Sequence, residues 1–304
     1  MLDRRKFLIA TGSTLVSTSL PAARSRTAPL GGETLVAAVQ ACEAASGGRL
    51  GVAILDTATG ARFAHRGDER FPMCSTFKLP LAAAILREVD RGRTSLGHKV
   101  PVSARDILDH SPFSETRVGG TASLGELCEA TMTNSDNAAA NLLLPVIGGP
   151  AGLTRFARAL GDKMTRFDRY EPDLGTCTPG DPRDTTTPLA TLALLDRILL
   201  GSVLSGSSRT RLTQWMIDNQ TGDRRLRAGL PAAWRVGDKT GTGGHGTTND
   251  IAILWPPKRP PLLITSYLTG SPLSTADSEA IHARLARSVA RAGESAFRSA
   301  RSHS

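Results

Sequence analysis

Ser75 and Lys78 stand three positions apart, a spacing that sets a hydroxyl beside an ammonium if the segment is helical. A serine hydroxyl is a weak nucleophile at neutral pH, so it needs an adjacent base or a cation that stabilises its alkoxide. A Ser-Lys pair on one helical turn could supply either without a histidine. The same spacing also fits an ordinary helix start that happens to be followed by lysine, so the pair needs partners elsewhere in the chain.

Three further segments supply such partners in a fixed order. Ser135-Asp136-Asn137 comes first, a polar loop with Arg169-Tyr170-Glu171-Pro172 follows, and Lys239-Thr240-Gly241 comes last. Chance at ordinary residue frequencies does not explain all of them together in one chain. Together they offer a nucleophile, proton carriers, two cations and a carboxylate, which are the groups that acyl transfer to serine requires.

In combination these motifs resemble those of the class A serine β-lactamases. The Ser-x-x-Lys, Ser-Asp-Asn and Lys-Thr-Gly motifs are shared with penicillin-binding proteins, whereas the acidic loop that carries Glu171 is typical of the β-lactamases. The resemblance runs from about Leu35 to Ala290, nearly the whole chain after its leader.

The resemblance implies hydrolysis of the β-lactam ring of penicillins and cephalosporins through a serine acyl-enzyme, which confers antibiotic resistance. Ser75 would attack the lactam carbonyl, the backbone N–H groups of Ser75 and Thr242 would bind the oxyanion, and Glu171 would activate water for deacylation. Whether Lys78 or Glu171 removes the proton from Ser75 stays open at this stage. The catalytic residues implied are Ser75, Lys78, Ser135, Glu171 and Lys239.

The substrate-binding residues implied are Asn137, Thr240, Gly241, Thr242, Arg225 and His110. Many relatives bind the substrate carboxylate through an arginine after the Lys-Thr-Gly motif, but that position here is Thr248. Arg225 aligns with an alternative arginine found in other relatives, with Glu279 to orient it, although a solvated arginine is the simpler reading of such a basic segment. His110 replaces an aromatic residue and could line the entrance of the cleft or be an ordinary surface histidine.

Gly175 departs from the pattern of the relatives, which usually have asparagine four residues after the glutamate to hold the hydrolytic water. This departure predicts slow deacylation, above all with bulky or carbapenem acyl groups. The opposite expectation, a broad substrate spectrum that includes weak carbapenem hydrolysis, rests on Arg225, Thr242 and Glu279. The substrate spectrum is therefore open.

The four cysteines at 42, 74, 128 and 177 permit three pairings, and their spacings match no metal site. The two disulfides familiar in relatives are excluded, because the partner positions are Ala82 and Gly243. Cys74 with Cys177 remains as one candidate pair, against a default of buried free thiols. Since no phosphate loop, nucleotide fingerprint or zinc motif is present, no cofactor and no metal are expected.

Residues 1–23 read as a signal peptide, with Arg4-Arg5-Lys6 followed by a short apolar stretch and small residues. The Arg-Arg-x-Phe-Leu order resembles a twin-arginine signal, which predicts export to the periplasm without a stable membrane anchor. The net charge is +9, and the arginines spaced from 284 to 301 fit a solvated helix face better than a nucleic-acid site. The expected partners are small-molecule β-lactams and their inhibitors, with no nucleic acid, and a monomer is expected.

Hydrophobic periodicity predicts strands near both ends of the chain and helices between them. The predicted strands are 50–55, 61–65, 233–242, 250–256 and 261–269; the predicted helices are 32–46, 75–90, 122–131, 136–146, 151–160, 188–199, 207–218 and 275–291. This order predicts an α/β lobe from 24–66 and 217–304 and an all-helical lobe from 67–216, with the active site between them. The resemblance implies the matching fold, a five-stranded antiparallel sheet flanked by helices.

Two other functions share part of the motif set. A D,D-peptidase of the penicillin-binding class would leave Glu171 and its loop without a purpose. A non-catalytic β-lactam sensor would form the acyl-enzyme and keep it, but such sensors usually belong to membrane receptors.

Overall fold

The structure is a computed structural model that describes residue 30 and residues 32–301, with side chains up to 292. The predicted leader at 1–23 lies outside these residues. The strands are β1 (Arg49–Asp56), β2 (Arg62–His65), β3 (Phe71–Pro72), β4 (Lys99–Pro101), β5 (Thr121–Ser123), β6 (Thr185–Thr186), β7 (Arg235–Gly243), β8 (Thr247–Trp255) and β9 (Leu262–Thr269). The α-helices are α1 (Gly32–Ser46), α2 (Lys78–Asp90), α3 (Leu124–Thr133), α4 (Asn137–Leu143), α5 (Gly149–Ala159), α6 (Pro188–Leu199), α7 (Gly206–Ile217) and α8 (Thr275–Arg301).

Short 3₁₀ helices complete the backbone at Cys74–Phe77, Ala104–Asp106, Ser114–Arg117, Leu144–Ile147, Asp173–Gly175 and Leu226–Gly229. None of the helices that the structure describes has the length and apolar character needed to cross a bilayer.

Five strands form one antiparallel sheet in the order β2-β1-β9-β8-β7. The first two come from the start of the chain and the other three from its end, so the sheet joins segments that are far apart in sequence. In β1, Val52 and Ile54 face one hydrophobic core, whereas Ala53 and Leu55 face another. Because both faces of the sheet are covered, its inner strands β1, β9 and β8 are buried almost throughout, including the polar residues at the start of β8.

The terminal helices α1 and α8 cover one face of the sheet, with Leu35, Val39, Leu285 and Val289 fully or almost fully buried. Helices α6 and α7 pack on the other face and connect it to the helical body that contains α2, α3 and α5. Each fully buried Leu or Ile side chain in these cores stabilises the fold by about 1.5–3 kcal/mol. The two-lobe fold class predicted from the sequence is therefore present, while the residues at which the lobes divide stay a prediction.

A small two-stranded sheet fixes the loop that carries Glu171 against the segment before Ser75. Strand β3 pairs with β6, and the Met73 N–H donates to the Asp184 carbonyl over 3.0 Å. The nucleophile turn, Cys74–Phe77, begins one residue after β3, and the loop from Thr165 to Asp184 ends directly before β6. Thus the two segments that must meet in the site are joined by backbone hydrogen bonds.

Candidate active site

Ser75 lies in the nucleophile turn, and Lys78 is the first residue of α2. The sequence predicts one helix from residue 75, but the first turn is 3₁₀. Pro80 explains the difference, because an α-helix starting at Ser75 would place this residue where its missing N–H is needed. In a 3₁₀ helix positions i and i+3 are eclipsed, so Ser75 and Lys78 still face the same side.

Lys78 is fully buried. Four oxygen atoms lie within 3.4 Å of its Nζ, and none of them belongs to Ser75. Lys78 Nζ donates to the Ser135 carbonyl and to Asn137 Oδ1, both over 2.6 Å, and lies 3.4 Å from both Ser135 Oγ and Glu171 Oε1. Within the described part of the chain, no side-chain hydrogen bond joins Lys78 to Ser75, although the Lys78 backbone N–H donates to the Ser75 carbonyl. Burial lowers the pKa of Lys78 below that of a free lysine, and the Glu171 carboxylate opposes this shift.

Ser135 stands between the two lysines. Its hydroxyl is 3.0 Å from Lys239 Nζ and 3.4 Å from Lys78 Nζ. The residue has a φ of 60°, a backbone conformation that costs energy for a non-glycine residue and is common at functional sites. Asp136 holds it there as the N-cap of α4, because its buried carboxylate accepts from the N–H groups of Ser114 and Ala139.

Strand β7 brings Lys239, Thr240, Gly241 and Thr242 alongside the nucleophile turn. A Cβ on Gly241 would lie 2.8 Å from the Met73 carbonyl oxygen and 3.2 Å from the Ser75 nitrogen. Only glycine therefore allows this backbone to approach the turn closely enough to place Thr242 next to Ser75. Burial, together with the nearby Lys78 charge, holds the pKa of Lys239 well below the ordinary value for lysine.

Glu171 reaches the site from the loop between α5 and β6. Its Oε1 lies 3.4 Å from Ser75 Oγ and at the same distance from Lys78 Nζ. The Glu171–Pro172 peptide bond is cis. The Asn141 side-chain amide makes two hydrogen bonds to the backbone of Glu171. It donates to the Glu171 carbonyl over 2.8 Å and accepts from the Glu171 N–H over 3.0 Å.

An ion pair between Arg169 and Asp184 joins the two sides of this loop. Asp184 is 1% exposed; its carboxylate accepts from Arg169 Nε over 2.6 Å and from the N–H groups of Asp168 and Arg169 over 2.8 and 3.1 Å. The two ends of the loop are thereby fastened to each other, and Glu171 projects from between them.

Arg225 is buried rather than solvated, with an exposed fraction of 3%. Its guanidinium donates to the Gly241 and Asn249 carbonyls, both over 2.7 Å, and to Thr242 Oγ1 over 2.6 Å. Glu279 Oε1 lies 3.4 Å from its Nε. The alternative reading of Arg225 as a solvated surface residue is therefore wrong.

A cleft of about 490 Å³ opens above these groups and is lined by Ser75, Ser135, Asn137, Arg225 and the β7 residues from Thr240 to Thr242. His110 is exposed, lines the same cleft and contacts the Asn134 carbonyl through Nε2 over 2.8 Å. All eleven residues selected from the sequence therefore lie in or next to this one region.

Two positioning residues were not selected from the sequence. Asn141, which holds the Glu171 backbone, follows Asn137 by one helical turn, a spacing that could have identified it. Asn249 donates to the Pro72 and Met73 carbonyls over 2.9 and 3.0 Å and so fixes β8 to the segment before Ser75. No local pattern marks Asn249, since its partners are far away in the chain.

The four cysteines are buried and free, which agrees with the default expectation. Among the described residues, no group of three or more His, Cys, Asp or Glu side chains could hold a metal ion.

Comparison with known proteins gives one consistent result. The model of the β-lactamase enzyme family matches residues 34–292. β-Lactamase L2 of Stenotrophomonas maltophilia is 46% identical over 296 residues, which are 94% of this chain and 98% of that protein. β-Lactamase CTX-M-8 of Citrobacter amalonaticus is 49% identical over 229 residues, 75% and 79% of the two chains. A solved structure of an ancestral class A β-lactamase superimposes with a TM-score of 0.84 at 57% identity, covering 85% of this chain and 99% of that one.

Proposed function

Because the chain belongs to the class A serine β-lactamases, we propose that Ser75 is the nucleophile through which it hydrolyses penicillins and cephalosporins. The chain is a hydrolase that opens β-lactams and so confers resistance to them. The observation that carries the residue assignment is the position of Glu171, whose carboxylate lies 3.4 Å from Ser75 Oγ and 3.4 Å from Lys78 Nζ.

In the acylation step, Glu171 is the base that the geometry favours. The Lys78 Nζ lies at 2.6 Å from two carbonyl oxygens and contacts Glu171, so it faces these acceptors and not the Ser75 hydroxyl. The Ser75 hydroxyl, by contrast, has the Glu171 carboxylate as its hydrogen-bond acceptor. Lys78 then acts as a fixed positive charge that stabilises the developing alkoxide.

Attack on the lactam carbonyl places negative charge on its oxygen, which the N–H groups of Ser75 and Thr242 would bind. Ser135 is the proton carrier for the departing lactam nitrogen, because its hydroxyl stands between Lys78 and Lys239. Lysine nitrogens on both sides of this hydroxyl can return a proton to it after it has given its own to the lactam nitrogen. Thr240, Thr242 and Arg225 would receive the substrate carboxylate, and Asn137 the amide of its side chain.

Deacylation requires a base that can act on water rather than on serine. Glu171 is positioned for this by the Asn141 contacts and by the Arg169–Asp184 pair at the ends of its loop. A carboxylate held on a fixed loop can deprotonate a water molecule as that water attacks the ester. Hydrolysis of the ester returns Ser75 and completes turnover.

The proposal includes the surroundings in which the enzyme works. The leader at 1–23 would direct the chain to the periplasm by the twin-arginine route, and the mature protein would act there as a monomer. Support comes from the Arg4-Arg5 pair and the short apolar stretch in the sequence.

Repeated turnover of a chromogenic cephalosporin tests the proposed function. Many equivalents of opened product per protein are expected. A single stoichiometric burst would instead indicate a sensor that stays acylated or a penicillin-binding peptidase, and it would refute the hydrolase mechanism.

Gly175→Asn is expected to accelerate deacylation by about 5- to 10-fold, the effect of one added hydrogen bond of about 1 kcal/mol to the attacking water. There is room for the side chain, since a Cβ at this position meets only Glu171 Oε2, at 3.9 Å. Decay of a preformed carbapenem acyl-enzyme in single turnover measures the effect. Gly180→Asn, on the same loop and in open space but at a φ of 81° that asparagine tolerates better than most residues, is the control and should leave the decay unchanged. If Gly175→Asn also leaves it unchanged, water positioning is not what limits this enzyme.

Arg225→Ala is expected to raise KM for penicillins by about 10- to 100-fold, because a hydrogen bond to a charged group contributes about 1.5–3 kcal/mol. Arg224→Ala is the matched control: Arg224 also contacts Glu279, but its side chain is 78% exposed. Thermal melting of both variants separates lost binding from lost packing. An unchanged KM in folded Arg225→Ala would remove Arg225 from carboxylate binding.

A further inference from the structure

Two buried thiols contact each other next to Ser75, the proposed nucleophile. Cys74 is the residue before Ser75, and Cys177 lies on the loop that carries Glu171. Their Sγ atoms are 3.3 Å apart, compared with about 2.05 Å in a disulfide. The two free thiols therefore stand at contact distance, and a small local shift would suffice to join them.

Gly243 explains why this contact forms. A Cβ at that position would lie 2.7 Å from both sulfur atoms and 2.6 Å from the Gly175 carbonyl oxygen. The absent side chain of Gly243 thus leaves the space that the two thiols fill. Cys74 and Cys177 have φ values of 46° and 56°, and such strained backbone at two contacting residues is kept only where the surroundings enforce it.

Cys177 can be reached without passing through the catalytic cleft. It lines a second cavity, of about 640 Å³, between the loop from Cys177 to Pro182, the start of β1 and the β7–β8 turn. Among the described residues, this cavity and the catalytic cleft share no lining residue. Cys74, by contrast, lines neither of them.

The two thiols differ in reactivity as well as in access. Hydrogen bonding to Cys74, Thr247 and the Gly244 N–H, together with the Arg169 charge, lowers the pKa of Cys177. The contact with Cys177, together with burial, raises the pKa of Cys74. Since the thiolate is the form that attacks a disulfide, Cys177 is suited to react first and Cys74 second.

We propose that Cys177 is a modification site for low-molecular-weight disulfides that enter the second cavity, with Cys74 as the resolving thiol. The Cys177 thiolate attacks a reagent RSSR, forming a Cys177–S–S–R bond and releasing one RS⁻. The Cys74 thiol then attacks the Cys177 sulfur, forming the Cys74–Cys177 disulfide, releasing a second RS⁻ and giving up its proton. The two cysteines are oxidised by two electrons, and the reagent is reduced to two thiols.

The product would tie the segment before Ser75 covalently to the loop of Glu171. This inference goes beyond the proposed β-lactam chemistry and does not depend on it, because neither sulfur takes part in acylation or deacylation.

The test treats the folded protein with 5,5′-dithiobis(2-nitrobenzoate) and counts released and protein-bound thionitrobenzoate. In a Cys42→Ala/Cys128→Ala background, two equivalents should be released with none bound. Adding Cys74→Ser should give one released and one bound, because the mixed disulfide cannot be resolved. Adding Cys177→Ser should suppress the reaction.

Three outcomes would overturn the proposal: no reaction of the native protein, thionitrobenzoate that stays bound with both thiols present, or an equal rate after Cys177→Ser. If the double-alanine background does not fold, mass spectrometry of the unsubstituted chain decides. The peptides that contain Cys74 and Cys177 must then be found joined after treatment, and separate peptides would refute the bridge.

Discussion

Glu171→Gln is expected to turn a catalyst into a protein that accumulates its acyl-enzyme. General-base catalysis contributes about 10²–10⁴-fold, so the deacylation rate should fall by that factor. Acylation should fall less, because the strained lactam ring is the better electrophile, and Lys78 and the backbone donors remain. Stopped-flow measurement of both steps, with mass spectrometry of the protein, checks this expectation.

The control for this variant is Asp173→Asn, an exposed position on the same loop. It should hydrolyse β-lactams at the unsubstituted rate, which would show that losing an exposed carboxylate close to Glu171 does not by itself slow turnover. Steady hydrolysis by Glu171→Gln would contradict the assigned base. An unaltered acylation rate would return the role of base in that step to Lys78.

Asp184→Ala is expected to have two effects: it should destabilise the protein, and it should stop deacylation. Removing one partner of a buried ion pair costs about 3–5 kcal/mol, and here the Arg169 guanidinium and two backbone N–H groups lose their acceptor. At about 2–4 °C per kcal/mol, Tm should fall by roughly 10 °C. Since the loop ends would no longer be fastened, Glu171 should lose its place and the acyl-enzyme should persist.

Arg183→Ala provides the matched comparison, because it breaks the Arg183–Asp181 pair on the same loop, where the arginine side chain is 53% exposed. An exposed pair of this kind is worth at most about 1 kcal/mol, so Tm and turnover should hardly change. If Asp184→Ala melts early yet still deacylates normally, the ion pair serves stability alone. Normal melting with normal turnover would remove it from both roles.

Much of the fold could be predicted because each element obeys a local rule. Helix α6 has the bounds predicted from its period, Pro188–Leu199, with Thr187 as its N-cap. Predicted helices with a proline beyond their first turn were less regular. Pro80 and Pro145 both replace part of a predicted α-helix with a 3₁₀ turn, at Cys74–Phe77 and Leu144–Ile147. Strand β8 starts earlier than predicted, at Thr247, because pairing with Gly243 across the turn extends it.

The sequence predicts which residues form the site, but it does not predict which atoms these residues contact. Short motifs and family resemblance were enough to select Ser75, Lys78 and Glu171. They do not reveal that the Lys78 side chain donates to the Ser135 carbonyl and to Asn137 rather than to the Ser75 hydroxyl, because that choice depends on how α4 is placed. The contact of Cys74 with Cys177 is likewise a product of tertiary packing, across 103 positions of sequence.

The strand order also determines when the central sheet can form while the chain is being synthesised. When β1 leaves the ribosome, only β2 is available to pair with it, and an isolated hairpin is marginally stable. Its other neighbour, β9, is made after all the helices of the middle region. The nascent chain therefore carries Ser75 long before strand β7 can deliver Lys239 and Thr242. A polypeptide released before Leu262 would lack β9, so β1 and β8 would each expose an unpaired edge that could pair with another chain. The active sheet can therefore form only when translation is almost complete.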